Sequence, residues 1–110
     1  MTDSHITSRT WLVEILPDEV RMRCAYRRRK KRIIQYTVQL EVRYLDAWHP
    51  AVRYDNAHGF CHRDTLHPDG TQEKTPVASG GANETFTFAI DELGTTWEAH
   101  RARFLREAES

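Results

Sequence analysis

An α+β fold, an antiparallel sheet of about four strands with one C-terminal helix packed on one face, is predicted from three observations. Two segments, Val20–Arg27 and Ile34–Tyr44, alternate apolar and polar residues as half-buried strands do. The stretch from Phe86 to Phe104 repeats instead at helical spacing. A chain of 110 residues suits one domain with one core. Its expected divisions are a loose terminus (1–10), a sheet-forming region (11–76), a connector (77–83) and a helix (84–108).

The first ten residues are polar and aperiodic. Trp11–Leu16 is a short apolar run ended by Pro17-Asp18, either a brief strand or one helical turn. In the first alternating strand Val20, Met22, Cys24 and Tyr26 share a face. In the second, Ile34, Tyr36, Val38, Leu40, Val42 and Tyr44 do so, opposite Gln35, Thr37, Gln39, Glu41 and Arg43. The polar segment between them predicts a hairpin with Arg27, Arg28, Arg29, Lys30, Lys31 and Arg32 near its tip. Asp46-Ala47 predicts a turn, and Trp48–Tyr54 a third strand with an edge or irregular start at Pro50. Phe60–Leu66 predicts a fourth, closed by the turn His67-Pro68-Asp69-Gly70. After the flexible connector Ser79–Ala82, the stripe Phe86, Ile90, Leu93, Trp97 and Phe104 faces the sheet. Asp91, Glu92, Glu98, Arg103 and Glu107 point away. Asn83 is the expected N-cap, with Glu84 near the positive helix end. Gly94 weakens this helix by about 1 kcal/mol.

Sixteen basic and sixteen acidic side chains give a formal net charge of zero. That total hides a division: residues 1–50 carry ten basic and six acidic groups, and residues 51–110 carry six and ten. The basic run therefore remains a candidate contact for a polyanion, because binding follows local field rather than the sum. Its alternative role is protection of a sheet edge. No stretch approaches the roughly 18–20 apolar residues of a membrane span, and no signal-peptide core is seen, so the expected location is the cytoplasm. Cys24 and Cys61 are too few for a disulfide scaffold.

The chemistry is concentrated in residues 53–67, which hold three of the six histidines, two aspartates and two arginines. A chain reversal around Gly59-Phe60 would bring His58 and His62 together, flanked by Asp55 and Asp64. One reading is acid–base cleavage of a phosphodiester, with His58 and His62 exchanging protons and Asp55 and Asp64 orienting them. Arg53, Arg63, Tyr54 and the basic run Arg27–Arg32 would then hold the phosphates. RNA supplies its own 2′-hydroxyl nucleophile, so no metal or other cofactor is required. A second reading is a non-enzymatic interaction module in which the same charges merely stabilise a polar turn. A third is a divalent-metal site, since His-x3-His with a carboxylate offers enough ligands, although that spacing works best on a helix. Tyr26, Tyr36 and Trp48 could stack on bases, or belong to the core. An open cleft at His58, His62 and Asp55 would favour chemistry, and buried, fully bonded rings a structural role.

At Tyr54-Asp55-Asn56-Ala57-His58-Gly59 followed by His62-Arg63-Asp64, the sequence resembles TumE-like toxins of toxin–antitoxin modules and sibling small prokaryotic families sharing this core. The likeness spans about residues 34–76. It implies a compact α+β protein, an RNA-directed growth-inhibiting activity and neutralisation by a protein antitoxin. Asp64 stands where the toxin pattern has a further histidine, and Leu66–Gly70 is closer to a sibling family. Self-association is a further expected partnership, since the acidic second half complements the basic first.

Overall fold

The computed structural model describes residues 5–77 and 80–110. Six strands form one antiparallel meander in sequence order: β1 Ile6–Leu16, β2 Val20–Arg29, β3 Arg32–Tyr44, β4 Ala47–Asp55, β5 His62–Leu66 and β6 Gln72–Pro76. One helix, α1 Ala82–Ala108, packs across β3 and β4. The α+β class and the helix-on-sheet arrangement hold, with six strands among the described residues in place of about four.

Both additional strands lie where the alternation is weak. Ile6–Thr10, expected to be loose, pair with Ala25–Arg29 of β2 through backbone groups that any sequence supplies. Gln72–Pro76 is exposed at every residue, so it carries no apolar signal, and the turn at His67–Gly70 returns it onto β5.

The β2–β3 pairing places Val20, Met22 and Cys24 opposite Val42, Leu40 and Val38, all buried beneath α1. A bulge at Ile34 shifts the alternation near the tip: Ile33 turns toward the core and Ile34 is exposed, the reverse of the expected face. Only Lys30-Lys31 make the turn; Arg27–Arg29 belong to β2 and Arg32 opens β3. The next hairpin turns at Leu45-Asp46, one residue earlier than expected, and both adopt left-handed backbone (φ 51° and 62°) that matches strand twist. Pro50 sits beside a bulge at Ala51, where β4 has no β5 partner, so its missing N–H leaves no ladder bond unmade.

The helix starts at Ala82, two residues before the expected position. Gly81 is its N-cap, its N–H donating to Glu84 Oε1 at 3.2 Å. Asn83, expected as the cap, is drawn away to the hairpin tip. The α1 stripe consists of Phe86, Ala89, Leu93 and Phe104, with Ile90 and Trp97 at its margin. Burying Leu93 alone contributes about 2 kcal/mol. Gly94 does not interrupt the helix, and a β-carbon there would meet nothing within 4 Å. Arg103, expected to face away, lies across the sheet end and donates to the carbonyls of Ala51 (2.8 Å) and Leu66 (3.0 Å). Of the expected connector, residues 78 and 79 lie outside the described residues.

Candidate functional site

Strand register divides the expected site residues between the two faces of the sheet. Asp55 pairs with His62, and Arg53 with Asp64, so these four share the face away from α1. Tyr54 pairs with Arg63 on the helix-covered face. Neighbours in a strand point to opposite sides, so Arg63 and Tyr54 cannot join a phosphate site at the histidines. Tyr54 is buried, packs on Phe88 at 6.3 Å, and its phenol is pushed up by burial against the opposing pull of Arg63.

The turn at Asn56–Phe60 does bring the two histidines together. Their rings stack at 6.1 Å, and Phe60 covers His62 from another side at 5.7 Å. Gly59, with φ 86°, permits this fold-back. Asn56 ties the turn to β3 through Tyr36 N–H (2.9 Å) and the Ile34 carbonyl (3.1 Å). Asp55 Oδ1 also receives the Ala57 N–H at 3.0 Å. His58 is exposed, whereas His62 is only 1% accessible. His62 Nε2 lies 3.0 Å from Asp55 Oδ1, 3.9 Å from Asp64 Oδ2 and 3.1 Å from Lys74 Nζ. Its Nδ1 is buried without a hydrogen-bond partner, as is Asp64 Oδ1. The cluster is thus a covered polar knot with His58 as its outward-facing ring, not an open cleft holding both imidazoles. Lys74 escaped sequence reasoning because its strand did; the register Asp64↔Lys74 is what places it.

A larger polar assembly runs across the helix-free face. Glu41, 5% accessible, accepts from Arg21 Nε (2.6 Å), Arg23 Nε (3.0 Å) and Gln39 Nε2 (2.6 Å), and Arg53 Nε donates on to Gln39 Oε1 (2.9 Å). Burial raises the Glu41 pKa, but the bonds from Arg21, Arg23 and Gln39 outweigh it and hold the carboxyl below its ordinary range. The Arg21 and Arg43 guanidinium groups lie over the Trp48 ring at 4.1 and 5.6 Å. The polar positions of β2 and β3 foretold this face; which arginine would bind Glu41 depended on register. Of the aromatics considered for base stacking, Tyr36 is buried and bonded to Thr85 Oγ1 at 2.7 Å. Tyr26 packs edge-on against Trp11 and Phe86, which leaves Trp48.

The basic run is fastened rather than free. Asn83 Oδ1 accepts the Ile33 N–H and its Nδ2 donates to the Lys31 carbonyl, both at 2.9 Å, fixing the tip to the start of α1. Arg29, Lys30, Lys31, Arg32, Ile34 and Asn83 surround an open hollow of about 510 Å³. Arg27 bonds Gln35 on the helix-free face at 3.3 Å, and Arg28 covers Tyr26.

Cys61 lies within the core, and burial pushes the Cys24 thiol up to about 11, so Cys24 offers no ready thiolate. His49 bonds the Tyr44 carbonyl at 3.1 Å. Burial, then Arg63 and Arg103, lower the His100 pKa. Among the described residues no helix is long and apolar enough to cross a membrane.

Over residues 1–110 the sequence matches the family described as Domain of unknown function (DUF7718). The chain belongs to that family. No curated protein and no solved structure matches it. The family description names no activity, and nothing in it links the chain to TumE-like toxins.

Proposed function

We propose that the protein binds single-stranded RNA, with phosphates held at the fastened basic hairpin and the strand continuing over the helix-free sheet face. The observation that carries this reading is the hollow walled by Arg29, Lys30, Lys31 and Arg32 beside the first turn of α1. Four cations surround that hollow, and the first turn of α1 reaches it through Asn83. Asn83 removes much of the ordering entropy that a loose cationic loop would lose on binding. From the tip, Arg27, Arg23, Arg21 and Arg43 continue along the sheet, and the Trp48–arginine stack presents flat surfaces for bases. Glu41 fixes Arg21 and Arg23 through Nε, leaving their terminal nitrogens for phosphate oxygens.

Binding rather than cleavage is the core of this reading, because a proton-transfer pair needs two rings within reach of the scissile bond and His62 is covered. Any cleavage would fall to His58. An antitoxin partner and growth inhibition belong to the reading through the resemblance to TumE-like toxins; self-association belongs to it through the charge division between the two halves of the chain, and a cytoplasmic setting through the lack of an apolar span.

The test is RNA affinity across a salt series for the native chain and for one carrying Arg29→Gln, Lys30→Gln, Lys31→Gln and Arg32→Gln. The slope of log affinity against log salt should fall by about 0.7 for each phosphate that the substitutions leave unneutralised. An unchanged slope sinks the proposal. Gel analysis of the same mixtures, with His58→Ala alongside, separates binding from cleavage.

A further inference from the structure

We propose that Asp55, His62 and Asp64 bind one divalent transition-metal ion, whose place the Lys74 ammonium fills when no metal is bound. This site is independent of the RNA contact proposed above.

His62 Nε2 meets two incompatible neighbours. Asp55 Oδ1 at 3.0 Å is an acceptor, while Lys74 Nζ at 3.1 Å is a donor. A protonated Nε2 brings its positive edge to the Asp55 carboxylate but abuts the ammonium hydrogens. An unprotonated one accepts from Lys74 and leaves the Asp55 carboxylate 3.0 Å away without its proton. Nothing behind the ring decides between them, since Nδ1 has no partner. Asp64 adds a second unresolved demand: it is 4% accessible, its Oδ1 lacks a hydrogen bond, and Lys74 Nζ stands 3.8 Å away.

A metal ion removes the conflict at Nε2, because it takes lone pairs from an imidazole nitrogen and two carboxylates alike. Donor atoms of the three residues lie within 4.8 Å of one another. Zinc ligands at about 2.0–2.2 Å in tetrahedral geometry stand about 3.4 Å apart. The observed His62–Asp55 and His62–Asp64 separations, 3.0 and 3.9 Å, bracket that distance, so each differs from it by about half an ångström. Lys74 sits on β6, whose residues are all exposed, and its side chain is 46% accessible, so it can withdraw into water and leave an entry path. Three protein ligands leave a fourth position for water or an added anion.

The experiment is calorimetric titration of the full untagged chain with zinc chloride near neutral pH, alongside Lys74→Met and Asp55→Asn. One ion should bind per chain. Lys74→Met should tighten binding by about tenfold or more, and Asp55→Asn should weaken it by a similar factor. Asp55→Asn preserves shape at a partly accessible side chain, and circular dichroism checks its fold. In nitrogen NMR spectra of the native chain, zinc should move the His62 ring signals while those of His67 stay in place. No zinc uptake by the native chain, or uptake that Asp55→Asn leaves unchanged, overturns the proposal. Uptake by the Lys74→Met chain alone also overturns it, for Lys74 would then be the permanent cation.

Discussion

His62 and His67 stand five residues apart, one opening the short strand β5 and the other just past its end, and each is surrounded by carboxylates. His67 gives one ring nitrogen to each of two partners: Nδ1 to Glu107 at 2.9 Å and Nε2 to Glu73 at 2.7 Å. His62 presents a single nitrogen to Asp55, Asp64 and Lys74, and leaves the other bare. The first arrangement is a satisfied clamp joining the β5–β6 turn to the end of α1. The second is a covered cluster whose polar demands conflict. Similar residue types therefore serve different ends, and what separates them is whether each donor has an acceptor of its own.

The comparison can be broken most forcefully at His62. His62→Ala removes a buried ring beneath Phe60 and His58 and should destabilise the chain by about 3 kcal/mol in urea unfolding. A loss under about 1 kcal/mol would mean that the turn collapses onto the gap and that the cluster is not a packed unit. Next comes Arg103, which supports the clamp by bonding Glu107 at 3.0 Å while satisfying the Ala51 and Leu66 carbonyls. Arg103→Ala should cost about 2 kcal/mol in the same assay, because two backbone acceptors lose a charged donor.

The smallest effect is expected at His67 itself, in a form that depends on pH. Glu107 and then Glu73 hold its pKa above the ordinary 6.5. A raised folded value contributes stability that is complete below the unfolded value and disappears as pH climbs through the folded one. Glu107 is held below its ordinary 4.5, first by His67, so its contribution is present above 4.5 and disappears as pH falls through the depressed value. The Tm difference between the native chain and His67→Gln should therefore be greatest between 4.5 and 6.5, about 2 °C at this partly exposed site, and fade on the alkaline side. A difference that grows with rising pH would show that the ring is not clamped in its charged form.

Legibility in the sequence followed the strength of local pattern. Val38, Leu40 and Val42 announced their face because the alternation around them is clean, whereas Ile34 misled because it is itself the bulged residue at which the period reverses. Asn83 looked like a cap because nothing local shows that the hairpin tip lies within its reach. The pairing of His58 with His62, and the position of Asp55 and Asp64 around His62, were readable from one turn. The exclusion of Arg63 and Tyr54 needed the strand boundaries that put them on the other face.

By itself, the sequence determined the helix, the apolar faces of the central strands and the basic hairpin, since each arises from periods and charges contained within a few residues. Tertiary structure alone decided the partners: Lys74 beside His62 twelve positions away, Glu107 beside His67 forty away, and Arg103 against the Ala51 carbonyl fifty-two away. Hydrogen bonds and ion pairs act over a few ångströms, so they follow how the chain reverses and in what register, which no local pattern specifies.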